Sequence, residues 1–202
     1  MRIGVLGGTF DPPHLGHLIL AQEALDQCHL ERVLWLPAAD PPHKRGKVFS
    51  PIEVRIELVS LSIAGNEQFE LSRVDVDRPG PHYTVDTLDL LASHYPNVEW
   101  FLLIGGDSLT DIPTWHAPKE LMKQANLVVM ARPGFTQNMA SLEESLPGIT
   151  PQTRVLDSPL IDISSSDIRF RTGGNRSIRY LVTESVHRYI IDNKLYQEFS
   201  RE

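Results

Sequence analysis

Apolar residues fall into short unbroken runs, Ile3 to Leu6, Arg32 to Leu36, Trp100 to Ile104 and Leu127 to Ala131. Between them, apolar positions recur at helical spacing. Runs that are apolar on both faces predict buried parallel strands, and their alternation with periodic stretches predicts a doubly wound α/β fold. The expected architecture is a mostly parallel sheet with helices on both faces, in a single domain spanning 1–202. Its C-terminal helical portion is expected at about 164–202.

The first helix is predicted from about His14 to about Cys28, with Leu18, Leu25 and the alanines between them as its apolar stripe. Ser50-Pro51-Ile52-Glu53 reads as a capping-box start, and Gly65 marks the end of that helix. A third helix follows Thr84, runs through Leu88 and Leu91, and stops before Pro96. Thr183 to Tyr196 predicts a C-terminal helix with Val186, Tyr189 and Ile190 on one face. Pro37 to Phe49, Arg78 to His82 and Gly105 to Pro118 are expected as loops, and Pro133 to Thr153 as a loop with one poor helix. Two of the first three follow strands directly, where ligands sit in an open parallel sheet.

Nineteen basic against 26 acidic side chains give a net charge of -7 in 202 residues. That balance argues against a large basic surface for duplex nucleic acid but leaves room for a small basic phosphate pocket. One cysteine, Cys28, excludes an internal disulfide and a four-cysteine zinc site. No signal-peptide h-region and no apolar stretch of membrane-spanning length is visible, so the expectation is a cytoplasmic protein without membrane or nucleic-acid partners.

The most specific chemistry follows the first strand: Gly7-Gly8-Thr9-Phe10-Asp11-Pro12-Pro13-His14-Leu15-Gly16-His17. It is neither the Gly-x-Gly-x-x-Gly fingerprint nor a P-loop. His14 and His17, at i and i+3, share one face at a helix start, where backbone N–H groups attract anions and imidazoles add donors. A histidine pair beside a tight turn is often only a surface feature; the preceding strand and glycines favour a phosphate site here. Ile163-Ser164-Ser165-Ser166-Asp167-Ile168-Arg169 places hydroxyls at a second helix start with an arginine one turn on. Alone, that string is more commonly an ordinary serine cap followed by a surface arginine.

Together, the two clusters resemble the His-x-Gly-His and Ser-x-Thr-x-x-Arg signatures of the nucleotidyltransferase superfamily, in matching order and separation. Pro41-Pro42-His43-Lys44, Tyr83 to Leu88, Ile104 to Ser108, Pro113-Thr114-Trp115 and Ala131 to Gly134 are similar to one family within it, the bacterial nicotinate-nucleotide adenylyltransferases. Two departures stand out: Ser166 where threonine is usual, and Asp40 where asparagine is frequent.

The resemblance implies a Rossmann-like sheet and transfer of the adenylyl group of ATP to nicotinate mononucleotide, with release of pyrophosphate. It implies ATP contacts from Gly7, Gly8, Thr9, Phe10, His14, His17, Gly105, Asp107, Ser165, Ser166 and Arg169. His14, His17 and Arg169 would be the catalytic set. Asp40, His43, Lys44, Tyr83, Thr84, Trp115 and Arg132 would meet the acceptor, with Trp115 as platform for the pyridine ring and Thr84 near its carboxylate. Mg2+ is expected to arrive with ATP, and no dedicated protein metal site is expected. Acceptors such as nicotinamide mononucleotide or pantetheine phosphate stay open. So do a metal-dependent phosphohydrolase, which lacks a third ligand, and a non-catalytic nucleotide-binding module. The sequence leaves the oligomeric state undetermined.

Overall fold

Six stretches pair into one sheet: β1 (Arg2–Gly8), β2 (Arg32–Pro37), β3 (Phe69–Leu71), β4 (Glu99–Gly105), β5 (Ala125–Met130) and β6 (Thr153–Val155). The computed structural model describes residues 1–39, 50–134, 136 and 138–199. Strand order is β3-β2-β1-β4-β5-β6, and every pairing is parallel. This is a Rossmann-like doubly wound arrangement whose order reverses between β1 and β4.

Strand alternation explains why the apolar runs are unbroken. Ile3, Val5, Leu34, Leu36, Leu102 and Ile104 enter one core, while Leu6, Val33, Trp35, Phe101 and Leu103 enter another on the opposite face. The second face is covered by α1 (Leu15–Cys28) and the inner side of α2 (Ile52–Ile63). The first is covered by α3 (Thr84–His94), α4 (Gly106–Asp111), α5 (Pro118–Gln124), α6 (Met139–Ser145) and α7 (Ile149–Gln152). A third core joins the outer side of α2, through Leu58, to α8 (Ser165–Gly173) and α9 (Glu184–Asp192). The C-terminal helices are thereby seated on α2.

Several expectations are corrected. Gly105 to Pro118 is not a loop but α4 followed by a 3-10 turn, Ile112–Thr114. Six residues carry too little periodicity to announce a helix; fully buried Leu109 and Ile112 hold it in place. Ser50 does not cap α2, whose N-cap is Pro51. Its backbone is used elsewhere: the N–H donates to Asp11 Oδ2 at 3.2 Å and the carbonyl accepts from Arg55 Nε at 3.0 Å. The Pro133 to Thr153 stretch holds two short helices rather than one, and β3 and β6 were unforeseen because three-residue edge strands show no period. Helix α9 ends at Asp192, short of Tyr196, which lies at φ 65° outside it.

Candidate functional site

The strand order reverses between β1 and β4, and the carboxyl ends of those strands are the position ligands take in this architecture. Glycines stand at both strand ends. A Cβ at Gly7 or Gly105 would meet no protein atom within 4 Å, so each borders open space. Gly8 differs, since a Cβ there would lie 3.0 Å from the Phe10 ring. That ring is buried and anchors the turn against His17 and Trp35, at 5.1 and 5.4 Å between centroids. Phe10 itself adopts φ 49°, so the chain reverses sharply just before Asp11.

His14 is the N-cap of α1, and its ring stacks on that of His17 at 3.7 Å with 28° between planes. The His14 N–H donates to His17 Nδ1 at 3.2 Å. An accepting Nδ1 puts the proton of the neutral His17 ring on Nε2, which is thus a hydrogen-bond donor. His14 is 4% exposed, and burial, reinforced by the positive charge of Arg132, pulls its pKa down to about 3. It is a neutral imidazole at any working pH. Gly16 completes the arrangement: a Cβ there would stand 3.1 Å from His14 Nδ1.

The second cluster is brought onto the first. Ser164 caps α8 through Oγ, which accepts from the Asp167 N–H at 3.0 Å. Ser165 Oγ donates to Pro12 O at 2.7 Å, and Arg169 Nη1 donates to Asp11 O at 2.6 Å. Arg169 Nη2 also donates to Ser166 Oγ at 3.2 Å. Two helix N-termini, α1 and α8, are thus stitched together through the Asp11-Pro12 turn across more than 150 residues of sequence.

Beneath the turn lies a polar cluster that the sequence did not single out. Asp11 is 1% exposed and accepts from Tyr196 Oη at 2.7 Å through Oδ1. Arg55, 2% exposed, donates from Nη1 to Thr9 O at 2.9 Å and Ala38 O at 2.7 Å, and from Nε to Ser50 O. Burial pulls the Arg55 pKa down, while the carboxylate of Asp11 opposes the shift. Burial and the same carboxylate push the Tyr196 phenol up. A charged residue among the apolar positions Ile52, Ile56 and Val59 was the one available signal for Arg55.

Four of the expected acceptor residues are described: Tyr83 and Thr84 at the start of α3, Trp115 after the 3-10 turn and Arg132 past the end of β5. Tyr83 is the N-cap of α3 and Thr84 its first residue. Tyr83 stacks on His116 at 4.1 Å, drawing the segment before α5 toward the start of α3; the neighbouring Trp115 is half-buried against the first core. Arg132, just past β5, pairs with Asp107 at 3.2 Å. Asp107 therefore lies in the first turn of α4 facing an arginine, and the cap of that helix is Gly105. Behind α3, Asp75 accepts from Arg78 at 2.8 Å and from Thr87 Oγ1 at 2.7 Å, bracing the Arg78 to His82 loop. Asp40, His43 and Lys44 lie outside the described residues.

Among the described residues, no group of three His, Cys, Asp or Glu side chains is placed to hold a metal ion, and no helix is long and apolar enough to cross a membrane. Cys28 closes α1 with its thiol buried and its pKa pushed up by that burial.

Residues 5–171 match the cytidylyltransferase-like family. A curated relative from Thermomicrobium roseum named "Probable nicotinate-nucleotide adenylyltransferase" is 44% identical over 196 residues, covering 97% of this chain and 92% of its own. A relative of the same name from Exiguobacterium sibiricum is 41% identical, covering 97% and 99%. Among solved structures, a Plasmodium falciparum nicotinic acid mononucleotide adenylyltransferase complexed with NaAD superposes with a TM-score of 0.81 at 18% identity, over 97% of both chains. At that identity the likeness is one of fold.

Proposed function

Because the chain belongs to the nicotinate-nucleotide adenylyltransferases, within the cytidylyltransferase-like family, we propose how its residues divide the labour of that reaction. The enzyme transfers the adenylyl group of ATP to nicotinate mononucleotide, forming nicotinate adenine dinucleotide and pyrophosphate. A phosphate oxygen of the acceptor attacks the α-phosphorus, and the bond to the β-phosphate breaks. The nucleophile belongs to the substrate, so the protein contributes position and charge stabilisation.

The observation that carries the assignment is the stitching of the α1 and α8 starts around the Asp11-Pro12 turn. ATP lies over Gly7 and Gly105, its triphosphate against the N-terminus of α1. His17 donates from Nε2 to a phosphoryl oxygen as charge develops there. His14, kept neutral, donates without adding charge. Ser165, Ser166 and Arg169 clasp the phosphates from the α8 side, and Arg169 supplies a permanent positive charge. Thr9 and Phe10 contribute backbone contacts.

The acceptor lies over α3, α4 and the end of β5. Trp115 offers its ring to the pyridine, Tyr83 and Thr84 present the α3 N-terminus to the nicotinate carboxylate, and Arg132 meets the phosphate beside Asp107. Asp40, His43 and Lys44 are assigned to the acceptor on their sequence motif. Mg2+ is assigned to arrive with ATP, and when bound it would supply charge neutralisation on the phosphoryl oxygens. We place the enzyme in the cytoplasm.

Pyrophosphate release from ATP, Mg2+ and nicotinate mononucleotide tests the assignment. Turnover is expected with the acid acceptor, to fall at least 100-fold in His17→Ala and to drop when the amide or pantetheine phosphate replaces the acid. Equal rates for wild type and His17→Ala would overturn the assignment of His17. Binding without turnover would overturn the enzyme reading.

A further inference from the structure

The C-terminal segment beyond α9 ends up beneath the nucleotide site, far from where a simple helix end would leave it. After Asp192 the chain passes through left-handed conformations at Lys194, φ 51°, and Tyr196, φ 65°. Lys194 closes the helix, with the Leu195 N–H donating to Ile190 O at 3.0 Å, whereas the left-handed Tyr196 is held by contacts distant in sequence. The contacts are specific. Tyr196 is 3% exposed, and its hydroxyl donates to Asp11 Oδ1 at 2.7 Å. Three residues on, the Phe199 ring lies 5.2 Å from the Arg169 guanidinium, within cation–π range. Phe199 is also edge-on to Tyr196 and to Phe170. Gly173 makes the approach possible, since a Cβ there would run into the Phe199 carbonyl.

We propose that Tyr196 and Phe199 are positioning residues of the triphosphate clamp. Tyr196 fixes the Asp11 side chain, and Phe199 holds the guanidinium of Arg169 in the plane from which Nη1 grips Asp11 O. Both anchors act on the same turn, one through its side chain and one through its backbone. A pre-held arginine loses less rotamer freedom when phosphate binds. The effect is therefore directed at ATP, while Tyr83 and Thr84 at the start of α3 and Arg132 past β5 share no contact with this segment among those described. The proposal rests on the assignment of Arg169 to the ATP phosphates.

Steady-state constants for both substrates, with calorimetric binding of a non-hydrolysable ATP analogue, decide the matter in Tyr196→Phe, Phe199→Leu, Arg169→Ala and Phe199→Leu/Arg169→Ala. Tyr196→Phe removes one oxygen and Phe199→Leu keeps apolar bulk, so both variants should fold. Analogue affinity is expected to fall roughly three- to fivefold in Phe199→Leu, the size of a cation–π contact. In Tyr196→Phe it should fall about tenfold, the size of a hydrogen bond to a charged group. KM for nicotinate mononucleotide should stay within twofold of wild type. In the Arg169→Ala background, Phe199→Leu should cost nothing further. Equal losses for both substrates, an undiminished Phe199→Leu effect without Arg169, or unchanged analogue affinity in both single variants would each overturn the proposal. Unchanged affinity in Arg169→Ala itself would instead overturn the assignment on which it rests.

Discussion

Gly16 separates the requirements of the fold from those of the chemistry. It is the second residue of α1, where alanine is favoured over glycine by up to about 1 kcal/mol. Against this, a Cβ would stand 3.1 Å from His14 Nδ1 and 3.2 Å from Cε1. Ordinary carbon contacts begin near 3.5 Å, so in Gly16→Ala the ring must yield by about 0.4 Å. His14 is 4% exposed and stacked on His17 at 3.7 Å, so the shift passes to the second imidazole. Overpacking of this kind costs about 1–3 kcal/mol, and the two effects leave a net loss of about 0–2 kcal/mol. For a chain of this length that lowers Tm by a few degrees, roughly 2–4 °C for each kcal/mol. Catalysis should suffer far more, because roughly an ångström of misplacement costs on the order of 100-fold. The expected result is a kcat about tenfold or more below wild type, with a circular-dichroism melt only slightly shifted. Wild-type kcat at equal or higher Tm would refute the claim that the histidine stack needs the absent side chain.

Three further outcomes are expected. His14 has a folded pKa of about 3, below its ordinary 6.5, so below pH 6.5 the unfolded chain takes up a proton that the folded chain refuses. Stability is therefore lost as pH falls from 6.5 toward 3, by about 2 kcal/mol at pH 5; urea unfolding at pH 7.5 and 5.0 should show that loss shrinking in His14→Gln, and an equal loss would contradict the burial argument. Arg55→Met leaves the carbonyls of Thr9, Ala38 and Ser50 without their donor, at a cost of about 3 kcal/mol or more, so an unchanged urea midpoint would count against the clamp. Asp75→Asn removes the charge facing Arg78 behind the α3 start; KM for nicotinate mononucleotide should rise severalfold with KM for ATP unmoved, and the reverse pattern would remove this network from the acceptor side.

Much of this arrangement was legible in the residues, for identifiable reasons. Ile3 to Leu6 and Trp100 to Ile104 are apolar because both faces of a central strand are covered, and such runs survive in any single sequence. The two signatures likewise stand out because glycine, histidine, serine and arginine seldom fall in that order by chance. Short elements did not announce themselves. β3 and β6 are three residues long, and α4 has glycine at its cap and at its first position and is held by the burial of Leu109 and Ile112 rather than by its own propensity. Ser50 carries a capping pattern whose local meaning is overridden by Asp11, 39 positions away, and by the Arg55 guanidinium five positions on. Tyr196 reads as one more helical residue, because nothing local records that its hydroxyl meets a carboxylate 185 positions away.

The Arg55 guanidinium also bears on how such a chain can diverge. By gripping Ala38 O and Ser50 O at 2.7 and 3.0 Å, it fixes both mouths of the stretch 40–49 to the same cation that holds Thr9. With its ends set by that cation, the stretch can change length or composition without tugging on the histidine turn. Insertions, deletions and new side chains can accumulate between Ala38 and Ser50 while the machinery for ATP stays unaltered. One buried arginine thereby makes this stretch the place where evolution, or a protein engineer, can alter the chain at least cost to the histidine turn.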